Sequence, residues 1–322
     1  MKRFLLTAAI FIASASSSLA NDHAAEQQVL DSGRKPADLF QGNWNPFILE
    51  IDFTSQNRGS VPGHFSAKWQ SKDHWWSKVS VGGFEQTTIR NGEMEYTVRS
   101  FGYTPTMVQE LFRLLGFDVS STGLAATGQK DRTVDGISST CIEIQANQFR
   151  GHDREFCFGT ASHELLREDW EVGQGGKNIE TFADYSAFDK TAYPRKFTLL
   201  KNGEESISAV VTTLANAAFD PALLAPSKGA IERRKCAGLQ PPIPIGRLMP
   251  VISQPGIEGH MTASLTILTD GSVGDVEILH SGGSAMDKAA LEAFKKSTFK
   301  PAMCGADPVV SDIEMSETVR HN

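Results

Sequence analysis

The aromatic residues of this chain are distributed so unevenly that one core does not account for them. All five Trp and all four Tyr lie between Trp44 and Tyr193, and beyond Phe219 the only aromatics are Phe294 and Phe299. A broad apolar face needs large side chains to cover it, whereas a small unit closes over Ala, Val and Leu. With 322 residues, the chain also exceeds the ~250–300 at which a single core stops growing. Two dissimilar domains are expected. The composition, 40% hydrophobic and 21% charged, excludes a disordered or collagen-like chain. A net charge of −7 with no basic stripe argues against nucleic acid as a partner.

One apolar run approaches membrane-spanning length, and it begins at residue 4, which excludes a polytopic membrane protein. Residues 1–20 read as a signal peptide: Lys2 and Arg3 form a positive n-region, Phe4 to Ala13 an apolar core, and Ser18-Leu19-Ala20 a small-residue cleavage site. The expected mature start is Asn21, and the expected location is the periplasm. The competing reading is an uncleaved inner-membrane anchor, against which stand the short run and its serines, Ser14, Ser16, Ser17 and Ser18. No cysteine precedes Cys141, so a lipidated start is not expected.

Export permits disulfides. Four cysteines, Cys141, Cys157, Cys236 and Cys304, allow three pairings, and the domain division favours Cys141–Cys157 and Cys236–Cys304. The second closes a loop of about 70 residues, worth ~4 kcal/mol in the chain-entropy account. The spacings give no metal-ligand pattern, and neither metal nor cofactor is expected.

From Asn45 the larger half alternates as strands do, with Leu49, Ile51 and Phe53 opposite Glu50 and Asp52. His64 to Val79 and Gln86 to Phe101 continue the pattern, and Asn91-Gly92 is a hairpin signal. A helix is expected after Pro105, with Val108, Leu111, Phe112 and Leu115 on one side and Gly116 as its stop. Further strands are expected at 142–148, 154–158, 195–201 and 206–214, with turns at Gly151 and Asn202-Gly203. This meander, and above all Phe182 to Leu224 with its Tyr193-Pro194 step and terminal Phe219-Asp220-Pro221, resembles the LolA/LolB-like fold. The resemblance implies a curved antiparallel sheet with packed helices that holds lipid acyl chains. Trp69, Trp75, Trp76, Phe84 and Tyr96 then form the apolar ligand face. The competing expectation is that Trp69, Trp75, Trp76 and Phe84 fill a core against the helix.

After a linker at 221–235, four prolines in 236–250 exclude a helix or central strand. Gly259 to Leu268 reads as a strand with Met261, Ala263, Leu265 and Ile267 on one face. Asp270-Gly271 turns it, and Val273 to Leu279 returns. Ser284 to Asp287 has the form of a capping box before a helix that faces inward with Met286, Ala290 and Phe294. Phe299-Lys300-Pro301-Ala302 ends that helix, and Pro308 to Met315 is the last strand. Gly256-Ile257-Glu258-Gly259, Asp270-Gly271-Ser272-Val273, Ser281-Gly282-Gly283, the Asp287–Leu291 helix, Phe299-Lys300-Pro301-Ala302 and Pro308-Val309-Val310 resemble, in this order, the TonB C-terminal domain. The resemblance covers roughly 240–318. It implies a periplasmic unit without chemistry of its own, whose last strand pairs with a strand of an outer-membrane transporter. That role falls on Val309, Val310, Ile313 and Met315. Mechanically this is strand addition, in which main-chain hydrogen bonds supply affinity.

Other motifs do not carry chemistry. Gly123 to Gln129 has P-loop glycines but Gln129 where the phosphate-binding Lys belongs, and Gly173-Gln174-Gly175-Gly176 reads as a turn. Glu164 and Glu168, four apart on a short helix, read as surface groups, and His152-Asp153 as a solvated hairpin tip. The expected fold class is α+β: signal peptide 1–20, an antiparallel domain 21–220, a linker 221–235 and a small ββαβ domain 236–322. The expected function is a non-catalytic envelope protein, associated with transmembrane transport, that pairs a strand with an outer-membrane or periplasmic partner. The alternative is a periplasmic carrier of lipid or lipoprotein.

Overall fold

The computed structural model describes residues 23–34, 39–56, 59–100, 104–116, 124–144, 154–172, 176–236, 238–246 and 259–319. The expected leader, the Gly151 turn and His152-Asp153 lie outside them.

Two antiparallel meanders build the larger part. The first is β1 (Phe47–Ser55), β2 (Val61–Ser71), β3 (His74–Val81), β4 (Phe84–Asn91) and β5 (Met94–Arg99). The second is β6 (Ala126–Val134), β7 (Ile137–Ile144), β8 (Arg154–Gly159), β9 (Leu165–Val172) and β10 (Gly176–Ala183). A small hairpin of β11 (Ser186–Phe188) and β12 (Thr191–Tyr193) interrupts it before β13 (Lys196–Lys201) and β14 (Glu204–Asn216). The first meander runs outward from β1. The chain then passes through α2 (Thr106–Leu114) to the far edge, and the second meander returns until β14 pairs with β1. Among the described residues one 13-stranded sheet results, in the order β15 (Ile231–Arg234), β5, β4, β3, β2, β1, β14, β13, β10, β9, β8, β7, β6.

Its outermost strand, β15 (Ile231–Arg234), comes from the segment expected to be linker. It pairs antiparallel with β5, Ile231 opposite Thr97 and Arg233 opposite Glu95. A short 3-10 helix at Pro221–Leu224, capped by the Asp220 carboxylate accepting from Ala222 N at 2.9 Å, leads into it. Four residues of alternating pattern were too short a signal to separate from a turn.

Period-two alternation places Leu49, Ile51, Phe53, Phe65, Ala67 and Trp69 in the main core. Leu30 of α1 (Ala24–Arg34) and Val108, Leu111 and Leu114 of α2 close over them. Helix α1 was not foreseen, because Val29 and Leu30 are its only large apolar residues. Its Gly33 admits the Phe158 ring of β8: a Cβ there would stand 2.4 Å from Phe158 Cδ1. The expected short helix at Glu164–Glu168 is instead the approach to β9 and the strand itself, paired with β8 and β10. Gly128 and Gln129 of the P-loop-like run lie in edge strand β6. At Asn202-Gly203 both turn residues have positive φ, as a two-residue hairpin of right-handed twist demands. Near Asn91 the turn pair is displaced by one residue to Gly92-Glu93.

The C-terminal unit contains β16 (Ile243–Ile245), β17 (Gly259–Ile267), β18 (Val273–His280), α3 (Ser284–Lys295), β19 (Thr298–Lys300), β20 (Ala302–Cys304), β21 (Asp307–Val309) and β22 (Ser311–Val319). A three-stranded sheet, β18-β17-β22, carries α3 on one face. Met286, Ala290 and Phe294 of α3 are fully buried against Met261, Ala263, Leu265 and Ile267. Ser284 is not the cap of α3. Gly283 occupies that place, and Asp287 reaches back to accept from Gly282 N at 2.9 Å and from the Ser281 hydroxyl at 2.5 Å. The stretch expected as one final strand is broken. Val309 pairs with Ala302 in a short hairpin, and the long strand begins at Ser311.

The disulfides join Cys141 to Cys157, directly opposite each other on β7 and β8, and Cys236 to Cys304. The second fastens the residues after β15 to β20 across a sequence separation of 68. Replacing Cys236 and Cys304 together by Ala is expected to cost the C-terminal unit about 4 kcal/mol through the freed unfolded chain, measured by denaturant titration of amide exchange in α3. Gly271 has φ +81 and an added Cβ would sit 1.9 Å from Phe299 O, whose own amide donates to Gly271 O at 2.8 Å. Gly271→Ala is therefore expected to lower the melting temperature, by more than the ~1 kcal/mol typical of a Gly conformational effect.

Candidate functional site

The two parts of the chain meet along one seam, and the seam is charged. On the face away from α3, the strand registers place Thr262, Ser264 and Thr266 of β17 beside Asp312, Glu314 and Ser316 of β22 and Asp275 and Glu277 of β18. This polar face carries four carboxylates. The facing edge of the large sheet carries arginines and a lysine. Arg233 Nη2 of β15 donates to Asp312 Oδ2 at 2.6 Å, and the Thr266 hydroxyl donates to Asp312 Oδ1 at 2.8 Å. Next to it, Arg234 donates through Nη1 to Asp307 at 2.7 Å and through Nε to Glu93 at 2.9 Å, and Lys235 pairs with Glu95 at 3.3 Å.

Arg233 is only 7% exposed, so its charge is held by Asp312 in a setting where a lost partner is costly. Arg99 stands farther along the edge and donates to the Thr104 hydroxyl, which donates in turn to Gln86 Oε1 at 2.7 Å. Burial pulls the Arg99 guanidinium below its ordinary pKa. Asp312 opposes this, Arg233 reinforces it, and Asp275 and Glu277 oppose it. Charges of both parts thus act on one side chain.

Between the parts lies a cleft of about 690 Å³. Its floor is the inner face of β3 to β5, where Ser77, Gln86, Thr88 and Thr97 are buried polar groups. Trp75 and Phe112 stand toward the middle of the sheet, and Ser264, Asp312 and Glu314 form the opposite wall. Cross-strand rows explain the gradient: Trp69, Trp75, Arg90, Glu95 and Arg233 follow one another from β2 to β15. The inner face is apolar at the centre and charged at the rim.

The five aromatics expected to form one apolar ligand face are divided by strand parity. Trp69 and Phe84 are buried in the main core, and Trp75 shares their side of the sheet. Trp76 and Tyr96 lie in the row Lys68, Trp76, Ile89, Tyr96 on the opposite side. Trp75 and Trp76 are neighbours in a strand and so cannot share a face. Of the four residues expected on the partner strand, Ile313 and Met315 lie in β22 and pack half-buried toward α3. Val309 is buried in the β20–β21 hairpin, and Val310 lies between β21 and β22. β22 is an end strand of its sheet, paired with β17 alone among the described residues. Arg233 and Asp312 are not recognisable as a pair in the sequence, because a basic turn and an acidic strand residue carry no mark of their pairing 79 positions apart.

On the outer face of β1 and β2, His64 bridges Asp52 at 2.7 Å and Glu50 at 2.9 Å, and the Ser66 hydroxyl donates to Glu50. The hydroxyl is bound to the carboxylate and not to the imidazole, so it lacks the base that a nucleophile needs. The group within metal-binding reach among the described residues, Cys141, Glu155 and Cys157, has its two sulfurs bonded to each other. Partial burial lowers the His64 pKa, while hydrogen bonds and charges of Asp52 and Glu50 raise it by more, so the net shift is upward from 6.5. A raised folded-state pKa gives stability that is complete below the unfolded value and lost as pH rises through the folded value. Melting temperatures of the protein and of His64→Gln should therefore differ most below pH 6.5 and converge at higher pH.

No helix among the described residues is long and apolar enough to cross a membrane. No curated protein matches the sequence. Among solved structures, an outer membrane lipoprotein-sorting protein domain from Vibrio parahaemolyticus is similar with 14% identity and a TM-score of 0.44, over 61% of this chain and 94% of that one. A LolA superfamily protein from Nitrosomonas europaea gives 10% identity and a TM-score of 0.42, over 62% and 97%. The MucA/MucB complex of Pseudomonas aeruginosa gives 12% identity and a TM-score of 0.32, over 92% and 94%. At the other end of the chain, residues 253–316 match the family described as Gram-negative bacterial TonB protein C-terminal.

Proposed function

We propose that this is an exported, non-catalytic envelope protein whose C-terminal unit recognises a partner by adding one of its strands to the free edge of β22. The observation that carries this reading is the position of β22 at the end of a three-stranded sheet, within a segment matching the TonB C-terminal family. An end strand presents a row of unpaired N–H and C=O groups, which a second chain satisfies by strand addition. Ile313 and Met315 anchor β22 to α3, so a partner strand would extend a surface already held rigid. The partner is an outer-membrane or periplasmic protein, in keeping with the signal peptide expected at 1–20. A photoreactive amino acid at the exposed Ser316 of β22, outside the cleft wall, is expected to trap an envelope protein in cells. Recovery of no envelope adduct from that position, with the protein folded and abundant, would count against the reading.

A second reading, a carrier of lipid or lipoprotein, draws on the cleft of about 690 Å³ with Trp75 and Phe112 in its wall. The main apolar face is closed by α1 and α2, and the cleft beside it offers room for an acyl chain. Native mass spectrometry of the mature chain is expected to show a retained lipid mass if the cleft is loaded, and a ligand-free spectrum after purification from membranes would set the carrier aside.

A further inference from the structure

We propose that the C-terminal sheet is a reversible lid on the cleft, docked by its carboxylates onto the arginine edge of the large sheet and kept in place when undocked by the Cys236–Cys304 tether. Three observations meet here. Around Arg233 and Arg99 the seam is polar on both sides: Asp312, Asp275 and Glu277 face these two arginines, and among the described residues no apolar core cluster contains residues of both parts. A seam of charges separates into water at far less cost than an apolar one, since each separated group regains hydration.

The docked state is also imperfect. The Nε atoms of Arg99 and Arg233 are both buried without an acceptor among the described residues, and a buried donor without a partner opposes the contact that buries it. Undocking returns both to solvent, so the attraction of Arg233 for Asp312 is partly offset within the same side chain. Finally, the covalent link lies at one side of the seam. Cys236 is two residues past β15, and Cys304 ends β20. Separation at Arg233–Asp312 therefore leaves the lid attached.

The consequence is control of access. Docked, Ser264, Asp312 and Glu314 roof the hydrogen-bonding floor of Ser77, Gln86, Thr88 and Thr97. Undocked, that floor opens to solvent, and so does the polar face of the sheet that contains β22. Docking and undocking of the lid do not depend on whether β22 pairs with a partner.

The test is the distance between the two parts in the full mature chain. Nitroxide-bearing noncanonical residues at exposed Glu204 and Lys288 leave the disulfides untouched. Pulsed electron resonance is expected to give one narrow distance for the otherwise native chain in low salt. Asp312→Asn and Arg233→Gln should each move most of that amplitude to longer, broader distances. The exchanged pair, Arg233→Glu with Asp312→Arg, should restore the narrow peak. Raising salt to ~1 M, where screening acts within about 3 Å, should broaden the peak without any substitution, which separates undocking from misfolding. A narrow peak that survives both single substitutions and salt overturns the proposal. So does an exchanged pair that stays open while its circular dichroism is native.

Discussion

The pairing of β1 with β14 is the contact on which the rest of the molecule depends. Each meander forms by local hairpins, but two separate meanders would each expose a central edge. Register between Phe47–Ser55 and Ile207–Asn216 joins them and brings Leu49, Ile51 and Phe53 into one face with Ile207, Ala209 and Val211. Only a joined sheet is wide enough for α1 and α2 to be buried on it together. The concentration of Trp and Phe before residue 220 follows from that breadth.

The same joining determines where the functional seam falls. Because the first meander runs outward from the centre, β5 ends up at an edge, and an edge accepts another strand. β15 takes that place and delivers Arg233, Arg234 and Cys236 in succession to the C-terminal unit. One short strand thus serves as the last of the large sheet and as the mount for the small one. The electrostatics follow from the mounting: basic side chains of the rim face carboxylates of β18 and β22, with the hydroxyls of β17 between them.

Much of this was legible from period and turn chemistry. The alternation of Leu49, Ile51 and Phe53, the inward set Met286, Ala290 and Phe294, and both cysteine pairs stand in the structure as the sequence implied. The failures have physical causes. Helix α1 has too little apolar surface for a periodic signal, and its hold comes from Leu30, Gly33 against Phe158, and Gln27 accepting from Ala126 N at 3.0 Å. The aromatic face was assembled by residue type across several strands, and parity within β3 alone divides it. Val309 was placed in the last strand because nothing local to it announces the reversal that pairs it with Ala302.

The sequence by itself determined which residues of each segment point inward, where the hairpins turn, and that two cores of different size are needed, because these depend on neighbours within a few positions. Tertiary structure alone decided which strands lie side by side, that Ile231–Arg234 belongs to a sheet and not to a linker, and that Arg233 meets Asp312. Those outcomes rest on hydrogen bonds and charges between residues far apart in the chain. Their energies exist only once the intervening segments have folded, so no local pattern of residues encodes them.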